Sequence, residues 1–125
     1  MAYNTQTQIT IINNYSGPIN IILKHQYSDD SLFSNRWLNV QPGTQTTSRW
    51  TVGYQTGFAQ FGQDYWFLQA EVQSGEQAGV WRIETFLCTL HTEDANQTLR
   101  FTVGSNGLLI EKPSGNSQQT IAKIA

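Results

Sequence analysis

The sequence predicts an all-β protein, an antiparallel β-sandwich of about eight strands that forms a single domain over residues 1–125. Three observations predict this class. Short runs rich in β-branched and aromatic residues alternate apolar with polar side chains, and helical periodicity is scarce. Gly, Pro, Asn and Ser separate these runs at close intervals. The length of 125 residues, with an aromatic share of 12%, suffices for one hydrophobic core.

The first half of the chain is predicted to contain five strands. Residues 8–14 alternate apolar with polar side chains and end in the turn-forming sequence NNYSGP. Alternation in residues 19–27 defines an apolar face that includes His25 and is expected to point inward. These two strands are expected to pair as a hairpin. The other strands are residues 36–40, 48–54 and 65–72, and the last of these has Trp66, Leu68, Ala70 and Val72 on one face.

The second half is predicted to contain three strands and a tail. Residues 79–90 read as one long strand, expected to be central because both of its faces carry apolar groups. Ile83 and Leu87 are expected on one face, with Phe86 and Cys88 on the other. The remaining strands are residues 98–103 and 108–112, and the tail is residues 113–125. The tail is short and Gly- and Ser-rich at its start, so we expect it to be either frayed or a short helix.

The composition excludes several classes of function. Charged residues make up 13% of the chain and the formal net charge is -2, so the basic excess that nucleic-acid binding needs is missing. No apolar run has the length of a transmembrane segment. The N-terminal residues lack a signal-peptide pattern and Cys88 is the only cysteine. We therefore expect a cytoplasmic protein or one exported without a signal peptide.

The chain contains no catalytic motif of the common hydrolase or nucleotide-binding kinds. His25 could serve as a catalytic base, but its place on an apolar strand face favours a hydrogen-bonded core histidine. Cys88 lies within a predicted strand, which favours a small buried side chain over a reactive thiol. We therefore expect a protein that is not an enzyme.

Three aspartates are candidate ligands for a cation. Asp29 and Asp30 are adjacent in a loop, and Asp64 directly precedes the strand of residues 65–72. Calcium takes about six to eight oxygen ligands, so these carboxylates would hold it if their loops meet at one end of the sandwich. Further oxygens would come from the backbone, or from Glu93 and Asp94. The favoured alternative is that the carboxylates cap amides in their own turns, a common use of aspartate.

The stretch TGFAQFGQDYW, residues 56–66, places aromatic rings beside two glycines and one carboxylate. The candidate binding residues are Phe33, Phe58, Phe61, Tyr65 and Trp66. An exposed ring beside amide and acid groups suits a sugar or a membrane interface, because it offers an apolar face with hydrogen bonds around it. The alternative is that both phenylalanines of the stretch close the end of the sandwich.

The succession of NNYSG, LKHQYSDD, QPG, VGYQTGF and GQDYWFLQAEV resembles a family of small β-proteins called "up-regulated in Daf domain", after a nematode longevity pathway. The resemblance covers about residues 10–75 well and the remainder loosely. It implies that the SDD loop and the DYW strand start belong to one recurring arrangement, and it implies no catalytic residues. A more distant similarity, in size and strand pattern alone, is to lipid-binding sandwiches such as aegerolysins and actinoporins.

These features predict a non-enzymatic binding module that recognises a carbohydrate or a membrane surface, with calcium as an assisting ion. The low charge also permits a structural protein whose edge strands associate into homo-oligomers. A toxin-like protein that perturbs membranes is the third alternative.

Overall fold

The computed structural model describes residues 3–57 and 62–125, which form two β-sheets packed face to face. The first sheet contains, in spatial order, β4 (Trp50–Tyr54), β1 (Thr5–Asn13), β7 (Thr98–Gly104), β8 (Gly107–Glu111) and β9 (Ser117–Gln119). The second contains β10 (Ala122–Lys123), β6 (Gly79–Leu87), β5 (Asp64–Val72), β2 (Ile19–Tyr27) and β3 (Phe33–Val40). A 3-10 turn at Thr92–Asp94 precedes β7. The predicted all-β sandwich is confirmed.

Alternation of side chains determines which faces of β2 and β5 enter the core. Every second residue of β2 from Ile19 to Tyr27 is buried, and so is every second residue of β5 from Asp64 to Val72. The two strands are antiparallel neighbours at the centre of the second sheet. The inward face predicted for β2 is confirmed, and the division of β5 into two faces is also confirmed. Because Asp64 starts β5 on its inward face, its carboxylate enters the interior on the same side as His25.

The predicted hairpin between the first two strands is wrong. β1 pairs antiparallel with β4 and parallel with β7, whereas β2 pairs with β3 and β5 in the other sheet. The chain changes sheets after Asn13, whose buried side chain donates to the carbonyls of Gly17 at 3.0 Å and Val40 at 2.8 Å. Its oxygen accepts the Tyr15 backbone N–H at 2.8 Å. These bonds satisfy the backbone of a turn that leads across the sandwich.

Strand β6 differs from its predicted form because it contains an irregularity. The pairing of β5 with β6 shifts register between Trp66 and Leu68, and the strand ends at Leu87. Ile83 and Phe86, three positions apart, are therefore both buried, whereas Leu87 is exposed. The prediction that Ile83 and Leu87 share a face over an unbroken strand is wrong.

The tail forms two short strands, so the short-helix alternative is wrong. Strand β9 extends the first sheet beside β8, and β10 extends the second sheet beside β6. Ile121, between them, is buried in the core. The tail is anchored where it begins, because the buried Asp94 carboxylate accepts the Ser114 backbone N–H at 3.0 Å and its hydroxyl at 2.7 Å. Within residues 3–57 and 62–125, no helix has the length and apolarity that a bilayer span would need.

Candidate functional site

The most specific side-chain arrangement in the core is a buried pair formed by His25 and Asp64. His25 Nε2 lies 2.7 Å from Asp64 Oδ1, and the two residues are 2% and 1% exposed. The second carboxylate oxygen, Oδ2, accepts the Leu90 backbone N–H at 2.9 Å. Both carboxylate oxygens are therefore engaged. A buried polar group needs such partners, because each one left unpaired costs about 1–3 kcal/mol.

The indole of Trp66 fixes the histidine ring from the side. The two ring centroids are 4.4 Å apart, and the indole N–H donates to the Cys88 carbonyl at 2.9 Å. On the other side the indole packs against Phe101 of the first sheet, with centroids 5.3 Å apart. The His25 ring is thus held by a hydrogen bond and by packing.

A cleft of about 360 Å³ lies beside this pair, at the edge of the sandwich where β3 and β4 are the outer strands. We call it the aromatic cleft. Its lining includes Tyr3, Gln6, His25, Phe33, Trp50 and Thr51. The aromatic cleft therefore receives side chains from both sheets, and the buried histidine forms part of its wall.

Three rings give the aromatic cleft its apolar surface. Phe33, which pairs across the strands with His25, is 50% exposed. Trp50 packs edge-on against Trp37, with ring centroids 6.4 Å apart. Tyr3 lies directly over Gly53, since a Cβ at residue 53 would clash with the tyrosine ring. Among the described residues no Lys, Arg, Asp or Glu lines the aromatic cleft.

The loops that carry the three candidate metal-binding aspartates do meet. The Ser28 backbone N–H donates to the Gln63 carbonyl at 2.7 Å, and the Gln63 N–H donates to the Ser28 hydroxyl at 3.0 Å. The carboxylates nevertheless do not converge. Asp64 turns inward to His25, Asp29 is exposed, and Asp30 Oδ2 is enclosed without a hydrogen bond. The described part of the chain holds no group of three or more His, Cys, Asp or Glu side chains suited to a metal.

The two other acidic residues considered as cation ligands, Glu93 and Asp94, do not belong to the loops of residues 28–30 and 63–64. Asp94 is fully buried, and besides Ser114 it accepts the His91 backbone N–H at 2.9 Å. Glu93 is exposed in the 3-10 turn. Asp94 thus has a structural role, joining the turn before β7 to the start of the tail.

The candidate aromatic residues fall into separate places. Phe58 and Phe61 lie outside the described residues. Trp66 is 1% exposed in the core, so its ring is not a surface platform. Tyr65 is 36% exposed and borders a different, smaller pocket of about 230 Å³ together with Leu32. Of the three candidates within the described residues, Phe33 is the one that lines the aromatic cleft.

Sequence reasoning missed two cleft residues and one partnership. Tyr3 and Trp50 are distant in the chain from Phe33, and the packing of two sheets brings them together. The partnership of His25 with Asp64 had a readable sign, because Asp64 has the same strand parity as the inward Trp66. Starting the predicted strand one residue earlier would have placed this carboxylate inside.

Cys88 is 5% exposed, as expected for a buried small side chain, and burial raises the pKa of its thiol. We predict that a thiol reagent such as dithionitrobenzoate labels the native protein more than about 100-fold more slowly than the unfolded protein at pH 8. The same protein unfolded in about 6 M guanidinium gives the reference labelling rate. Equal rates in the two conditions would contradict the burial of this thiol.

The chain is thus a β-sandwich domain with an enclosed His–Asp pair beside an uncharged aromatic cleft. A family model described as "Up-Regulated in long-lived daf-2" matches residues 3–86, more than half of the chain. The chain belongs to this family, as the resemblance of its motifs indicated. The matched region includes both members of the pair and the lining of the aromatic cleft. None of the curated proteins compared with the chain matches it.

Proposed function

We propose that this domain is a non-enzymatic recognition module that binds a neutral carbohydrate in the aromatic cleft. The observation that carries the proposal is the lining of that cleft, in which three aromatic rings surround polar but uncharged groups. A sugar ring has apolar C–H faces that stack on aromatic rings and hydroxyls that need hydrogen-bond partners. Gln6 and Thr51, which are both exposed, add an amide and a hydroxyl to the lining.

The size of the aromatic cleft supports a small ligand. Its volume of about 360 Å³ lies at the lower end of the range of small-molecule pockets, about 300–1,000 Å³. This volume suits a monosaccharide or disaccharide unit, which could be the end of a longer glycan. Calcium is not part of the proposal, since Asp64 has both oxygens occupied by protein donors.

The test compares two exposed aromatic residues of the second sheet. We expect Phe33→Ala to weaken carbohydrate binding about tenfold, because it removes one stacking surface of the aromatic cleft. Tyr65→Ala is the matched control, since its ring is exposed outside the aromatic cleft. A glycan array identifies the ligand, and calorimetric titration of that glycan, with and without EDTA, gives the affinities.

Two outcomes would contradict the proposal. A wild-type protein that binds nothing on the array has no carbohydrate site. Equal losses in Phe33→Ala and Tyr65→Ala would place the site elsewhere on the sheet.

A membrane surface is the second candidate, and one observation favours it. Leu32, at the end of the loop that precedes β3, is 56% exposed, and the adjacent Phe33 is 50% exposed. If the end of this loop enters a bilayer interface, Leu32→Ser lowers co-sedimentation with phosphatidylcholine vesicles. Ile124→Ser is the matched control, because Ile124 is 47% exposed beside β10 at the opposite edge of the sheet. If neither the wild type nor the variants co-sediment with the vesicles, the membrane-binding function is rejected.

A further inference from the structure

We infer that His25 determines specificity in the aromatic cleft, where its Nδ1 accepts a hydrogen bond from a hydroxyl of the bound molecule. Asp64 acts as a positioning residue that fixes the histidine tautomer. This inference rests on the proposed carbohydrate site and goes beyond it, because it states which chemical group of the ligand is recognised and by which atom.

The tautomer follows from the donors around Asp64. The Leu90 backbone N–H can only donate, so Asp64 Oδ2 is an acceptor there. The carboxylate accepts equally at Oδ1, where its neighbour at 2.7 Å is His25 Nε2. When the imidazole is neutral, its proton therefore lies on Nε2, and Nδ1 has a free lone pair. An aspartate that selects one histidine tautomer in this way is a common device in functional sites.

Nδ1 is the ring nitrogen that remains for a ligand. It has no hydrogen-bond partner among the described residues. His25 is 2% exposed and forms part of the lining of the aromatic cleft, so a molecule in this cleft would meet the imidazole there.

The acceptor is rigid, which makes it selective. The indole of Trp66 at 4.4 Å and the bond to Asp64 prevent the ring from turning to offer its other nitrogen. A fixed acceptor favours a ligand with a donor at that point, such as a sugar hydroxyl, and rejects a group that can only accept.

The first experiment uses glycosides in which one hydroxyl is replaced by fluorine, so that the donor is lost and the shape is kept. The probes are the methyl glycosides of glucose, galactose, mannose and N-acetylglucosamine with their monodeoxyfluoro analogues. For the glycoside that binds, we expect one fluorinated position to weaken binding about threefold to tenfold through loss of the bond to His25. Fluorination at the other hydroxyl positions tests hydrogen bonds to cleft residues other than His25.

The second experiment uses Asp64→Asn to exchange the hydrogen-bond donor and acceptor nitrogens of the His25 ring. The Leu90 N–H draws the amide oxygen toward itself, so the amide NH₂ faces His25 Nε2. The proton then moves to Nδ1, which becomes a donor. We expect this variant to lose the penalty at the sensitive fluorinated position while the wild type retains it. Two-dimensional ¹H–¹⁵N spectra of the imidazole, which distinguish the two tautomers, should show the exchange without any ligand.

The outcomes separate the inference from the proposed function. If no glycoside binds the wild type, the carbohydrate site fails. If a glycoside binds but no single fluorinated position is sensitive, or Asp64→Asn keeps the wild-type preference, the role of His25 is overturned. If Asp64→Asn does not fold, the wild-type imidazole spectrum still decides, because a proton on Nδ1 contradicts the inference.

Discussion

Asp64→Ala is expected to lower the free energy of unfolding by about 3–5 kcal/mol, because two enclosed donors lose their acceptor at about 1–3 kcal/mol each and a small void remains. The substitution takes away the acceptor for two enclosed donors, His25 Nε2 and the Leu90 backbone N–H. It also leaves a void beside a histidine that is 2% exposed. Water has little access to replace the missing bonds, so the loss is large.

Urea titration followed by tryptophan fluorescence measures this effect. Asp29→Ala is the matched control, because it removes an exposed carboxylate from the loop that touches residue 63 and is expected to change stability by less than about 0.5 kcal/mol. Asp64→Asn should fall between the two, since it retains a group of the same shape. Similar midpoints for the two alanine variants would show that Asp64 is not enclosed as described.

The parts of the fold that could be predicted are those set by local alternation. Residues 19–27 and 65–72 each place most of their apolar side chains on one strand face, and this face is the buried face of β2 and of β5. A period of two residues is a property of the strand itself, so it is visible in one sequence.

The parts that could not be predicted depend on partners distant in the chain. Strand β1 lies beside β7 in parallel, a pairing with no local sign in either segment. The irregularity in β6 is visible only in its pairing with β5, where the register shifts. At this shift, two neighbouring positions of β6 face the same side of the sheet. The tail is too short to hold its own structure, and it forms strands because the edges of β8 and β6 accept them.

The candidate site also contains features that the local sequence predicts and features that depend on residues distant in the chain. His25 was expected to be a hydrogen-bonded core histidine, and this is confirmed. Its partner Asp64 was assigned to a loop because strand ends are uncertain by a residue or more, and that single residue decides whether the carboxylate faces a cation or the core. The aromatic cleft combines Tyr3, Phe33 and Trp50 from both sheets, so it exists only after the sheets pack.

Trp66→Ala is expected to lower the free energy of unfolding by about 3–5 kcal/mol and the thermal midpoint by about 10–20 °C. The indole is 1% exposed and spans the space between the sheets, touching His25 on one side and Phe101 on the other. Its removal opens a cavity at the centre of the sandwich and leaves the Cys88 carbonyl without its donor. The His25 ring also loses its lateral support, so ligand binding in the aromatic cleft should weaken even at temperatures where the variant is folded.

Calorimetry on Trp66→Ala, Trp66→Phe and Tyr65→Ala separates these contributions. Trp66→Phe keeps a ring between the sheets and loses the indole N–H, so its loss of about 1–3 kcal/mol represents the unpaired carbonyl together with the smaller volume. Tyr65 is the neighbouring residue on the opposite face of β5 and is 36% exposed, so its alanine variant should lose less than about 1 kcal/mol. The ratio between adjacent positions tests the alternation directly. A Tyr65 variant as unstable as the Trp66 variant would require that both faces of β5 are covered, which contradicts a sandwich of two sheets.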